Sequence, residues 1–185
     1  MTGGPPVPGG EPAVGAELAT AADWPEITAL RNRVFVEEQG VPVEVERDDR
    51  DATAVHALGR DGSGTVVATG RLLLDAAGPG RAVIGRMAAD PAVRGRGHGG
   101  AVLHALQRAA GQRGQTAVEL HAQLTARRFY ERAGYVAVGE PYREAGIAHV
   151  TMRRELPPGA GPQVGGVPRT ERPEPAETRP VGPSE

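Results

Sequence analysis

The chain has no cysteine. This excludes a disulfide framework, a thiolate metal site and a cysteine nucleophile. Lysine is missing too: all 21 cationic side chains are arginine, so only the N-terminal α-amine is available for self-modification. Aromatic residues make up 3% of the chain, the formal charge is −2, and no basic block stands out. A nucleic-acid partner is therefore not expected. No apolar run approaches the roughly 18 residues of a membrane span. The start of the chain lacks the basic-then-apolar plan of a secretory signal, which makes the cytoplasm the default location. None of the five histidines are paired at H-x-x-x-H spacing, so no metal site is expected.

Glycine and proline, in contrast, are abundant, at 27 and 17 residues. They crowd the two ends: residues 1–16 hold five glycines and four prolines, and residues 157–185 hold five and eight. Such segments cannot bury enough apolar surface to offset chain entropy, so both ends are expected to be disordered. Residues 17–156 remain as one α/β domain.

Within that body the patterns alternate. Asp23, Pro25 and Glu26 resemble a helix start, and Ile27, Leu30 and Val34 recur on one helical face until Gly40 and Pro42 stop it. An acidic stretch, residues 44–51, follows. Strands are expected at residues 55–58, 65–74 and 82–88, with Asp61-Gly-Ser-Gly64 as a hairpin loop. Val102, Leu103, Leu106 and Ala110 mark a helix over residues 97–113. A strand at 117–121, a helix at 125–133, a strand at 135–138 and a final hairpin through 147–154 complete a mixed rather than wholly parallel sheet.

The most informative segment joins the 82–88 strand to the following helix. Arg94-Gly95-Arg96-Gly97-His98-Gly99 places flexible backbone, two guanidinium groups and the free N–H groups of a helix start together. That combination suits a phosphate or pyrophosphate. Two patterns fit. Gly95, Gly97 and Gly100 match G-x-G-x-x-G, with Glu119 near the place of a ribose-binding acid. In a dinucleotide fold, however, the glycines follow the strand directly, whereas a polar loop intervenes here. The other pattern is Arg-x-x-Gly-x-Gly.

On that second pattern the chain resembles the GNAT family of N-acetyltransferases. Three further segments resemble the ElaA-type branch of that family. These are Arg31-Asn-Arg-Val-Phe-Val-Glu-Glu-Gln-Gly-Val-Pro42, Phe129-Tyr-Glu-Arg-Ala-Gly-Tyr135 and Gly146-Ile-Ala-His-Val-Thr-Met152, with His121-Ala-Gln123 between the first and second. The resemblance implies an α/β fold with a mixed central sheet splayed between two parallel strands and flanked by helices. It also implies acetyl-CoA as co-substrate, with no metal. The backbone of Met87, Ala88 and Ala89 would pair with the pantetheine arm. Arg94, Gly95, Arg96, Gly97, His98 and Gly99 would hold the pyrophosphate, and Gln123 stands where many members carry asparagine.

Transfer needs a neutral amine, a polarised carbonyl and a proton for the departing thiolate. The resemblance puts Tyr130 beside the sulfur, and a phenol with a pKa of about 10 stays protonated at neutral pH. Glu37, Glu38, His56 and His121 are the candidate acceptor contacts. Glu37, Glu38, His56, Glu119, His121 and His149 all remain open as the base, or positioning alone could suffice. The expected function is acetyl transfer to a primary amine, small or peptidyl; the alternative is a catalytically silent acyl-CoA-binding module. Edge strands near the C-terminal hairpin are compatible with a homodimer as well as a monomer.

Overall fold

The computed structural model describes residues 14–157. The disorder expected of the two ends thus lies outside the described residues, except at residues 14–16 and 157. Eight strands form one sheet: β1 (Glu17–Leu18), β2 (Val55–Arg60), β3 (Val66–Leu73), β4 (Arg81–Ala89), β5 (Ala117–Gln123), β6 (Val136–Ala137), β7 (Tyr142–Glu144) and β8 (Ile147–Glu155). The path runs β1-β2-β3-β4-β5-β8-β6, with β7 paired to another part of β8. Every pairing is antiparallel except β4 with β5. The mixed α/β architecture is the one expected.

Helices cover both faces. On one side lies α1 (Trp24–Arg31), which runs on as a π-helix over Asn32–Glu38. Its Ile27, Leu30 and Val34 pack on Leu58, Val66 and Ala88 of the sheet. Behind the sheet, α3 (His98–Gln112) buries Val102, Leu103 and Leu106 against Ala68, Leu72 and Ile84. Burying each such side chain contributes about 1.5–3 kcal/mol. With both faces covered, every residue of β3 from Val66 to Leu72 is buried, as suits a central strand. Two short helices complete the set: α2 (Val43–Glu46) before β2, and α4 (Arg127–Arg132) after β5.

Several features depart from the sequence reading. The first helix is not one regular helix to Gly40, because its hydrogen bonding widens to the π pattern at Asn32; such widening is often associated with functional sites. The acidic stretch contains α2 and a 3-10 turn at Asp49–Ala52 rather than only loop. The edge strand β1 was not foreseen, since two residues carry no periodicity. The final hairpin is not contained in residues 147–154: that stretch is the single strand β8, and the hairpin is closed by β7, which lies before it. The other elements fall within a few residues of expectation.

One local irregularity sets up the rest. Between Thr69 and Arg71, only Gly70 faces two residues of β4, Arg86 and Met87, because Thr69 pairs with Ala88 and Arg71 with Gly85. This is a β-bulge, which re-aims the strand that carries the extra residue. Gly70 is required by packing: a Cβ there would stand 2.5 Å from Met87 Sδ and 2.8 Å from Leu106 Cδ1. Gly70→Ala is therefore expected to cost about 1–3 kcal/mol by overpacking, measured as a lower midpoint in urea unfolding.

Candidate active site

Parallel pairing between β4 and β5 covers only Arg81–Ile84 against Ala117–Leu120. Beyond that point β4 continues to Ala89 and β5 to Gln123 without pairing to each other. Two interior strands thus part, and the β4 edge over residues 85–89 faces the gap without a ladder partner. Such an edge presents backbone groups that an amide-bearing chain can join as an extra strand. The parting opens into a cavity of about 830 Å³, lined by Phe35, Gln39, Met87, His121, Gln123 and Tyr130 among others. That volume lies in the range of small-molecule sites.

The bulge drives the parting. Arg86 has φ +53°, a left-handed conformation that costs a side-chain-bearing residue about 1–3 kcal/mol and persists only when its surroundings fix it. Its guanidinium supplies the fixing, donating to the carbonyls of Glu46 at 2.9 Å and Val45 at 2.9 Å and reaching Asp48 at 3.4 Å. Met87 turns its side chain away from the gap, onto Gly70 and the α3 layer. Ala88 is buried against the α1 side. At Met87, Ala88 and Ala89, then, the main chain rather than the side chains is what the gap can use.

The glycine segment lies at the far end of β4. A short 3-10 turn (Pro91–Val93), capped by Asp90, leads into it. Gly97, the residue before α3, has φ +95°, and Gly95 has φ +80°. Ordinary side chains rarely adopt this region. The N–H groups of residues 97–100 take no partner among the described residues, as expected at a helix start. The Arg96 side chain is exposed and makes no hydrogen bond or ion pair among the described residues, while its N–H donates to the Val93 carbonyl at 3.1 Å. Arg94 is engaged: its two terminal nitrogens donate to the Glu38 carboxylate at 2.7 and 2.6 Å, and Nε donates to the Ala89 carbonyl at 3.1 Å. Hydrogen bonding from Arg94 holds the Glu38 carboxyl below its ordinary range. His98 buries its ring, which leaves only its backbone N–H at the open side of the segment.

Tyr130 is set from the opposite wall. Arg127 and Glu131 pair at 2.7 Å across one turn of α4. The helix closes at Gly134, with the N–H of Tyr135 donating to the Tyr130 carbonyl at 3.1 Å. The Tyr130 ring lies between Phe129 and Tyr135, at 4.9 and 6.0 Å between centroids. The residue is 8% exposed and lines the cavity, and its hydroxyl makes no hydrogen bond among the described residues. Burial pushes its pKa upward because the phenolate would be poorly solvated. The neighbouring Tyr135 is pushed up to about 12 by the same cause, and its hydroxyl accepts from Gln107 at 3.1 Å.

The acidic stretch is bound inward. Arg31, 1% exposed, meets Glu46 through Nε and Asp51 through both terminal nitrogens at 2.9 and 3.0 Å. Arg71 joins Asp51 at 2.8 Å and Asp48 at 3.0 Å. With Arg86, three guanidinium groups face three carboxylates. Glu46, Asp48 and Asp51 of the acidic stretch are thus taken up by arginines rather than left free to attract a cationic acceptor. Glu37 accepts from Asn32 at 2.7 Å. Gln123 donates to Gln39 at 2.8 Å across the cavity mouth. Glu119 is held by Arg153 at 2.8 Å and Arg81 at 3.2 Å, which leaves it no role as a ribose-binding acid.

Of the predicted residues, Glu38, Met87, Ala89, Arg94, His121, Gln123 and Tyr130 line one cavity. His56 does not belong with them. It lines a separate cavity with Trp24, Asp51 and Arg113, where its Nε2 lies 3.1 Å from the Asp51 carbonyl and burial lowers its pKa. The sequence reading missed Arg31, Arg71, Arg86 and the Gln39–Gln123 bridge. The available signal was Arg71 itself, a lone charge in an otherwise apolar strand that demands a carboxylate partner.

Residues 26–156 match the family model described as an acetyltransferase (GNAT) domain. Among relatives, the "Uncharacterized N-acetyltransferase YjcF" of Bacillus subtilis is 33% identical over 127 residues, covering 68% of this chain and 88% of that protein. The crystal structure of Escherichia coli ElaA superposes with a TM-score of 0.67 at 27% identity, over 77% of this chain and 99% of ElaA. An acyl-CoA N-acyltransferase from Pseudomonas aeruginosa gives a TM-score of 0.66 at 35% identity, with the same coverage.

The ion network makes stability acid-sensitive. Burial alone would raise the Asp51 pKa, but hydrogen bonds from Arg31 and Arg71 outweigh it and lower the value below 3.8. A lowered folded-state pKa gives stability that is complete above the unfolded value and is lost as pH falls through the folded one. Unfolding free energy should therefore hold steady above about pH 5 and drop below about pH 4. Asp51→Ala should cost about 3–5 kcal/mol at neutral pH by leaving two buried guanidinium groups short of a carboxylate, and should flatten the acid limb of a denaturation series.

Proposed function

The chain belongs to the GNAT acetyltransferase family, and on that footing we propose that it transfers the acetyl group of acetyl-CoA to a primary amine by direct attack. One observation carries this reading: the unpaired interior edge of β4 opens into a cavity with the free N–H groups of the α3 start near one end and Tyr130 on the opposite wall.

The residues present fit acetyl-CoA. The main chain of Met87, Ala88 and Ala89 offers alternating N–H and C=O groups to the amides of a pantetheine arm. The N–H groups at residues 97–100 and the positive end of α3 suit a diphosphate, with the Arg96 guanidinium beside them and Arg94 within reach through its bond to Glu38. Gln123 narrows the mouth through Gln39. When bound, acetyl-CoA supplies an activated acyl group on sulfur. A backbone N–H of the bulged segment near Met87 can stabilise the negative charge that develops on the carbonyl oxygen.

Tyr130 is the general acid that protonates the sulfur. Its burial supports this role, since a phenol raised above its ordinary value remains protonated wherever the enzyme works. The amine acceptor, small or peptidyl, enters over the sheet face opposite α3. The location compatible with this reading is the cytoplasm, and a homodimer as well as a monomer is compatible with the exposed edge at β6.

Two variants test the reading. Tyr130→Phe should lower kcat by about 10²-fold or more while leaving acetyl-CoA affinity intact, read as thiol release across an amine panel. The wild-type rate should show no alkaline loss attributable to this phenol up to its ordinary value of 10.0. Binding of acetyl-CoA with no thiol release on any amine would identify a silent binding module instead. Gly97→Val forces a β-branched residue to φ +95°, a true outlier. It should abolish acetyl-CoA binding in calorimetric titration while circular dichroism stays unchanged.

A further inference from the structure

The cavity has a polar wall that Tyr130 and the cofactor segment leave unused. Val118, Leu120 and Ala122 face the α3 layer, so the alternate residues His121 and Gln123 face the acceptor side. On β8, Val150 and Met152 face α3, which turns His149 and Thr151 the same way as His121. In register, Gln123 lies opposite His149 and His121 opposite Thr151, while Tyr142 of β7 flanks His149 from the other edge. The Tyr142 ring stacks on His149 at 6.0 Å and 22°, and its hydroxyl is hydrogen-bonded to His121 Nδ1. His149 Nδ1 is tied to the Ile147 carbonyl at 2.9 Å.

His121 directly follows Leu120, the last β5 residue paired to β4. It therefore stands at the apex of the parting, level with the bulge. Three carboxylates of the wall are committed: Glu38 to Arg94, and Glu46 and Asp48 to the arginine network. His149 is bonded only through Nδ1, but it lies opposite Gln123, two residues beyond the apex. Glu144 lines the cavity from the β7–β8 turn, away from the apex. The remaining charged groups on this face, Glu119, Arg153 and Arg81, bind one another. Tyr142 is kept neutral as a partner, since burial raises its pKa.

We infer that His121, oriented by Tyr142, is the general base that deprotonates an alkylammonium acceptor; the assignment rests on the acetyltransferase reading. An alkylamine arrives at neutral pH as its ammonium ion, without a lone pair to attack. With Nδ1–H donating to the Tyr142 oxygen, Nε2 keeps its own lone pair and accepts the ammonium proton, directly or through one water. The freed nitrogen lone pair forms the C–N bond to the acetyl carbon. The C–S bond breaks with its electrons going to sulfur, and the sulfur takes the Tyr130 proton. The excess proton on nitrogen passes through water to restore the Tyr130 phenol, and His121 returns its proton to solvent. One ammonium ion and one thioester thus give one amide, one thiol and one proton. Tyr142 acts as a positioning residue.

The test uses the full chain with acetyl-CoA and three alkylamine probes: benzylamine, spermidine and glucosamine. His121→Ala should lower kcat by about 10²–10⁴-fold on whichever probe the wild type turns over, with acetyl-CoA affinity unchanged. Added imidazole should restore at least about tenfold of that loss, as a replaced base does and a structural side chain does not. Tyr142→Phe should lower kcat by a smaller factor while leaving the KM for acetyl-CoA unchanged. An active His121→Ala enzyme would overturn the assignment, as would a loss that imidazole fails to restore or one that tracks lost acetyl-CoA binding. If the wild type binds acetyl-CoA but turns over no probe, the acetyltransferase reading falls and the base assignment with it. His121 is exposed, so its replacement should leave the melting temperature in place.

Discussion

Two parallel strands that stop pairing in the middle of a sheet are an energetic liability. Backbone donors and acceptors there lose their ladder partners, and an interior edge is the costliest place to lose them. The parting after Ile84 and Leu120 persists because β4 is bent away by an extra residue and held there. Arg86 takes a backbone conformation that its type disfavours, and its side chain is tied to two carbonyls of α2 and to Asp48. Strain at one residue is thus offset by hydrogen bonds made several ångströms away, in a segment some forty positions earlier in the chain. The gap is one that these contacts hold open.

The ion network is the scaffold for that arrangement. Arg31 comes from the first helix, Arg71 from the central strand and Arg86 from the bulge, while Glu46, Asp48 and Asp51 come from the acidic stretch. One irregular segment is therefore fastened to three regular elements. Trp24 adds to the fastening, with the Arg31 guanidinium 5.7 Å from its ring centroid. A second, smaller bridge, Arg94 to Glu38, connects the glycine segment with the π-helical turn. Both substrates would meet in a cleft whose walls are joined to each other by charge.

What could be read from the sequence was local or motif-like. The apolar spacing of Val102, Leu103 and Leu106 marked α3 to within a residue at each end, because a helix records its buried face every three to four positions. The positive-φ turn at Gly95 and Gly97 was legible from the residue type, and the resemblance singled out Tyr130, which lines the cavity. The bulge was not, since nothing local distinguishes Gly85, Arg86 and Met87 from an ordinary strand. Nor were the partners of the acids: a carboxylate's sequence neighbours say little about which guanidinium lies twenty or forty residues away. His56 misled for the same reason. Its residue type suited the chemistry, but its strand carries it to another cavity.

The absence of lysine has a further consequence for a protein that handles an acylating reagent. Thioesters modify exposed ammonium groups slowly and without catalysis once these lose a proton, and each event erases a positive charge. Guanidinium groups stay charged at every physiological pH and are poor nucleophiles. The three-against-three balance beneath the bulge is therefore made of cations that the reagent leaves alone. A molecule built this way would age in contact with a thioester without losing the charges that hold the bulge in place.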